Sequence, residues 1–157
     1  RTYCGYHDRF VAPFILAAGD VSLDVMQAPF ASEGHTAEAM NSSDAMSTGS
    51  TVWDAGIVLA ACLLDCQESR PWPRAGTHCL ELGSGTGLVG LAAAASGGFS
   101  SVCLSDLATV VPLTTQNVHR NAAKFPSHTK IDVIALRWDS MTDVRLAASK
   151  GPFDLIL

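Results

Sequence analysis

Residues 78–95 read HCLELGSGTGLVGLAAAA, and this stretch decides the fold. His78 to Leu82 is a short, mainly apolar run that makes a strand. A loop carrying Gly83, Gly85 and Gly87 follows, and then Leu88 to Ala95, whose small apolar residues make a helix able to pack close to a sheet. Each loop glycine lacks a Cβ, so the backbone can take conformations closed to other residues and can approach a ligand closely. The free amides at the helix start point at the ligand's negative groups, and the helix dipole adds roughly 0.3 to 1 kcal/mol at an exposed end. A strand, a glycine loop and a helix in this order read as a cradle for a nucleotide-type cofactor.

Working outward, Ser101 to Ser105 makes a second strand ending at Asp106. Ala108 to Ala122 follows as a helix that tolerates Pro112 in its first turns. Ile131 to Leu136 is a third strand and Phe153 to Leu157 a fourth. Strands alternating with helices demand parallel pairing, so the fold class is α/β, an open, mainly parallel sheet of Rossmann-like type with helices on both faces. Upstream of the loop, Thr51 is placed to cap a helix running to about Cys66, with Ile57, Leu59, Ala60, Leu63 and Leu64 on its apolar face. Pro71 and Pro73 then break the chain. Phe10 to Phe30 alternates loosely, with Gly19-Asp20 at a turn, and predicts a short hairpin at the domain edge. Ala31 to Ser50 has no period and reads as a flexible insertion. The expected organisation is therefore an N-terminal hairpin and insertion over residues 1–50 and a cofactor-binding domain over residues 51–157.

The composition of the 157 residues is 48% hydrophobic and 16% charged, which describes a buried-core protein with few surface charges. A net charge of −5 offers no basic field for a nucleic-acid backbone, so nucleic acid is disfavoured as a partner. The longest apolar run, Val52 to Leu64, contains Asp54 and falls short of the roughly 20 residues that span a bilayer, so no membrane partner is expected. The five cysteines, Cys4, Cys62, Cys66, Cys79 and Cys103, form no CxxC pair and no dense disulfide framework. They read as reduced thiols of an intracellular protein, with the cytoplasm expected first and the nucleus second. Cys62 and Cys66 read as buried small hydrophobes, and no metal site is predicted. The chain opens on Arg1 instead of methionine, which suggests a fragment.

The ligand of the glycine loop is narrowed by its neighbours. In an open α/β sheet the cofactor lies beyond the carboxyl ends of the strands, at the first βα turn. Asp106 ends the next strand at about the distance where a ribose-binding carboxylate is expected, and its two oxygens can accept both ribose hydroxyls. Gly85-x-Gly87-x-x-Gly90 also satisfies the dinucleotide pattern GxGxxG, so an NAD-dependent oxidoreductase stays open. Glu81 and the extra glycine at Gly83 give ExGxGxG, and a tryptophan-containing helix precedes the loop. Both features favour S-adenosylmethionine as the cofactor.

Val52-Trp53-Asp54-Ala55-Gly56, the run Leu80 to Gly90, Ser105-Asp106-Leu107, Leu136-Arg137-Trp138 and Phe153 to Leu157 together resemble the seven-β-strand protein-lysine methyltransferases of the methyltransferase-16 group. The resemblance covers residues from about Thr51 to Leu157. It implies that Trp53 lines the cofactor pocket, that Gly83, Ser84 and Gly85 touch the methionine end, that Asp106 holds the ribose, and that Trp138 packs on the adenine. An indole can stack on a purine, although a core position is the competing reading for both tryptophans. Glu81, Gly87 and Leu107 complete the expected cofactor-binding set, with Glu81 structural or orienting rather than a base. The resemblance further implies a protein substrate with a lysine acceptor. Methylation of a small molecule or RNA and a non-catalytic binding role stay open, and neither a catalytic residue nor an oligomeric state is assigned. In the family an Asp-x-x-Tyr motif follows the strand matching Phe153 to Leu157, where this sequence stops. The domain is accordingly expected to be incomplete.

Overall fold

The computed structural model describes residues 13–27, 48–65 and 76–157. Strands β1 (Phe14–Ala18) and β2 (Val21–Val25) form an antiparallel hairpin. Gly19 takes φ 55° at the first turn position while Asp20 keeps a negative φ, the pattern of a two-residue turn whose twist matches the strands. After a 3-10 turn at Thr48–Ser50 come α1 (Asp54–Asp65), β3 (Thr77–Leu82), α2 (Leu88–Ala95), β4 (Phe99–Asp106), α3 (Val111–Asn121), β5 (Lys130–Ala135), α4 (Met141–Ala148) and β6 (Leu155–Ile156). The main sheet has the order β5-β4-β3-β6 with every pairing parallel.

The expected α/β architecture is therefore present, and the strand order shows where a ligand belongs. From β3 the chain steps outward through β4 to β5, then returns across the sheet to lay β6 on the other side of β3. The order reverses at β3, and the loop after β3 is the glycine loop. Ligands of open α/β sheets bind at that reversal, beyond the carboxyl ends of the strands.

Alternating strand residues feed two cores. Cys79, Val102 and Leu104 join α1, α2 and the hairpin on one face, whereas Leu80, Cys103, Ile134 and Leu136 meet Ala147 of α4 on the other. Helices thus cover both faces. The hairpin does not sit at an edge as its sequence suggested. Leu16, Leu23 and Val25 are buried in the same cluster as Leu63, Leu91 and Phe99, because the hairpin's inward residues are all apolar. Each such leucine contributes about 1.5 to 3 kcal/mol by leaving water.

Several local readings need correction. Helix α1 begins at Asp54, so Thr51 is not its cap. Leu59, expected on the apolar face, and Cys62, expected to be a buried small hydrophobe, are exposed, because the buried stripe is Ala60, Leu63 and Leu64 with Ile57 partly buried. Helix α3 begins at Val111 with its proline in the first turn, not at Ala108. The fourth strand shortens to two paired residues, although Leu157 N–H still donates to Leu80 O at 2.8 Å. Helix α4 was not foreseen. Its start is fixed by Ser140, whose hydroxyl accepts from the Asp143 N–H. Most of the predicted insertion, together with Cys66, Pro71 and Pro73, lies outside the described residues.

Candidate cofactor site

The glycine loop is held open by its own backbone. Gly83, Gly85 and Gly87 have φ of 65°, 54° and 83°, the left-handed region that side chains strain. Gly87 N–H donates to Ser84 O at 2.7 Å, and Ser84 N–H to Ser105 O at 2.9 Å, which ties the turn to β4. From below, the Thr114 hydroxyl donates to Gly85 O at 2.7 Å and Asn117 Nδ2 to Thr86 O at 2.9 Å. A Cβ on Gly85 would lie 2.9 Å from the carbonyl oxygen of Gly49, so backbone of the 48–50 turn fills the space a side chain would need.

Two carboxylates flank the loop. Asp106 Oδ2 accepts from Gly85 N–H and Oδ1 from Leu107 N–H, each at 2.7 Å. Each oxygen keeps a further lone pair for a ligand hydroxyl. Glu81, 6% exposed, lies beneath the loop with Oε2 accepting from Gly90 N–H at 2.9 Å. Burial pushes its carboxyl up to about 8; the Gly90 N–H opposes the rise and the neighbouring Asp106 adds to it. Gly90 is required there, since an added Cβ would meet Glu81 Oε2 at 2.5 Å.

Around these groups lies a cleft of about 1150 Å³. Of the nine residues expected from sequence, Trp53, Glu81, Gly83, Ser84, Gly85, Asp106, Leu107 and Trp138 line it. Gly87 does not. It precedes α2 and an added Cβ would lie 3.1 Å from both Leu104 and Thr114, so its work is close packing. Neither tryptophan is a core residue: Trp53 is 59% and Trp138 74% exposed, and Trp53 Nε1 donates to Thr48 O at 2.9 Å. The Ser84 hydroxyl is buried and, among the described residues, has no hydrogen-bond partner. A buried hydroxyl without a partner calls for an explanation, and Ser84 is one of the residues lining the cleft.

The structure adds wall residues that sequence reasoning did not assign, among them Thr48, Gly49, Gly56 and Thr109, and at the β5 end Arg137 and Asp139. Arg137 forms a two-pronged pair with Asp139, at 2.7 and 3.1 Å. Thr114 and Asn117 support the loop without lining the cleft. Their signal was available as polar residues at helical spacing on the inner face of α3.

A family model for lysine methyltransferases matches residues 33–157. The chain belongs to the lysine methyltransferase family. It is 33% identical to the protein N-lysine methyltransferase METTL21A of Danio rerio over 112 residues, 71% of this chain and 47% of that protein. It is 36% identical to EEF1A lysine methyltransferase 3 of Mus musculus over 106 residues, 68% of this chain and 40% of that one. This member of the family thus spans about half the length of the curated relatives it matches. The crystal structure of SMU.776 complexed with SAH shares the fold with a TM-score of 0.51 at 19% identity, over 93% of this chain and 31% of that one.

Proposed function

We propose that this chain is the cofactor-binding part of an S-adenosylmethionine-dependent protein-lysine N-methyltransferase, and that the cleft beside the glycine loop holds S-adenosylmethionine. The observation that carries this reading is the joint placement of the left-handed glycine loop, the buried Ser84 hydroxyl and the Asp106 carboxylate around one cleft at the sheet's reversal point. Family membership, the relatives named for lysine methylation and the fold shared with a protein holding SAH all support it.

The residues fit the group. Asp106 would accept the ribose hydroxyls on its free lone pairs, Ser84 would donate to or accept from the methionine end, and Gly83 and Gly85 would let that end approach the backbone. Trp53 and Trp138 offer flat apolar faces at the two rims, and Trp138 follows β5 where an adenine would stack. When bound, S-adenosylmethionine supplies an electrophilic methyl group to the amine of a lysine acceptor. The chain's own contribution is alignment. Holding two reactants at near-attack geometry supplies roughly 7 to 11 kcal/mol, so no covalent intermediate on the protein is required. The cytoplasm is proposed as the site of action.

Titration calorimetry with S-adenosylmethionine and with NAD tests the reading. Binding of S-adenosylmethionine that is abolished in Gly85→Val, with the variant's circular dichroism unchanged, is the expected result. Tight NAD binding without S-adenosylmethionine binding overturns it.

A further inference from the structure

Glu81 stands on the cleft floor without a counter-charge. Its side chain is buried, Oε2 holds the Gly90 N–H at 2.9 Å, and its main-chain oxygen is taken by the Ser105 hydroxyl. Among the described residues no cation pairs with it. The groups facing it make matters worse for a negative charge. From β4 comes Asp106, which accepts from the Gly85 and Leu107 amides; Cys79 shares the strand and face of Glu81. Helix α2 carries no titratable side chain. Among the described residues the one cation on the cleft wall, Arg137, is already engaged with Asp139 on the loop after β5. A desolvated carboxylate with one neutral hydrogen bond and another carboxylate nearby holds its proton.

We infer that Glu81 makes this cleft select its ligand by charge: the carboxyl is neutral in the free protein and loses its proton to solvent more completely when S-adenosylmethionine binds than when the thioether product, which lacks the sulfonium charge, binds. The inference rests on the proposed reading of the cleft as the S-adenosylmethionine site. The chemistry is simple. The cofactor carries a permanent sulfonium charge that the demethylated product SAH lacks, while ammonium, carboxylate, ribose and adenine are common to both. A positive charge placed near this buried carboxyl favours its ionised form. Binding and deprotonation are then linked, so that each strengthens the other. As pH rises, the cleft turns from accepting both molecules to preferring the charged one, which favours exchange of product for fresh cofactor.

Affinities of the wild-type protein for S-adenosylmethionine and SAH, measured by calorimetry between about pH 6 and pH 9, test this. The ratio of the two affinities is expected to rise with pH by up to roughly tenfold per unit and to level off above about 8, where Glu81 ionises without help. Titrations in two buffers of different ionisation heat at pH 7 should read up to about one more proton released per S-adenosylmethionine than per SAH. Glu81→Gln keeps an acceptor for the Gly90 N–H, and in it the rise should be lost. The sulfonium makes the ammonium of S-adenosylmethionine titrate at lower pH than that of SAH, but this ligand effect is the same for both proteins, so the difference in slope between wild type and Glu81→Gln isolates Glu81. A wild-type ratio that does not change with pH, or a slope that survives in Glu81→Gln, overturns the inference while leaving the cleft as the cofactor site. Absence of S-adenosylmethionine binding at every pH overturns the reading of the cleft and this inference with it.

Discussion

Asp106 divides four lone pairs between two tasks. One on each oxygen fixes a backbone amide, Gly85 and Leu107, so the carboxylate shapes the turn before any ligand arrives. Asp106→Ala should weaken S-adenosylmethionine binding by about 1.5 to 3 kcal/mol, the worth of hydrogen bonds to a charged group. It should also speed hydrogen exchange at the Gly85 amide. Calorimetry together with exchange separates the two tasks, and an unchanged affinity would end the ribose role. Gly90 makes a second case. In an exposed helix Gly→Ala stabilises by about 1 kcal/mol. Here the new Cβ would come within 2.5 Å of Glu81 Oε2 and 2.7 Å of Leu104 Cδ2, both inside a packed core. Overpacking costs typically 1 to 3 kcal/mol, so Gly90→Ala is expected to destabilise, read as a lower urea midpoint. A raised midpoint would place the Glu81 carboxyl somewhere other than against α2.

Among the elements, α3 links the cleft to the hairpin through a set of buried polar contacts. Thr114, Asn117 and Asn121 are fully or almost fully buried. Asn117 accepts from Met26 N–H at 2.7 Å and donates to Met26 O and Thr86 O, while Asn121 makes the same two-way bond with Asp24 of β2. These side chains act as a third strand edge for β2. Asn117→Ala would orphan one amide and two carbonyls, each costing about 1 to 3 kcal/mol when buried. A loss of at least about 3 kcal/mol in urea unfolding is expected, together with faster exchange at Met26. A loss below about 1 kcal/mol would mean that water replaces the side chain. The same helix shows what the sequence could and could not convey. The strand, loop and helix from Thr77 to Ala95 were legible because glycine spacing and apolar period are local signals. Burial of Asn117 was not, since it depends on a hairpin some 90 residues earlier in the chain. Leu59 and Cys62 misled for a related reason. An almost uniformly apolar α1 gives no period from which to choose its buried side, and tertiary packing chose Ala60, Leu63 and Leu64. Helix α4 was overlooked although Ser140 and Asp143 spell a helix start. At the site, the glycine loop and Asp106 were legible from motif spacing and the two tryptophans only through the family resemblance, whereas the 48–50 wall and Arg137–Asp139 depend on how distant loops converge.

For the molecule as a whole, the buried acid on the cleft floor should govern stability near neutral pH. Burial raises the folded value of Glu81 from 4.5 to about 8. Between those limits the folded state holds a proton that the unfolded chain has released, and stability falls wherever the folded state binds more protons. The contribution is fully present below about pH 4.5, declines as pH rises, and is lost above about 8. The two buried thiols do not share this window. Burial pushes Cys79 up to about 12 and Cys103 up to about 11 from an ordinary value of 9.0, so the folded thiols stay neutral across the window and the unfolded ones ionise only as pH approaches 9.0. Urea unfolding of the chain at pH 6, 7 and 8 should therefore show a falling unfolding free energy, limited by about 1.4 kcal/mol per pH unit for one proton. Glu81→Gln, which cannot ionise, should lose that slope and gain on the wild type as pH rises. A wild-type slope that persists unchanged in Glu81→Gln would assign the proton to another group. A wild-type stability that rises across the window would mean the Glu81 carboxylate is already ionised and compensated in the folded protein.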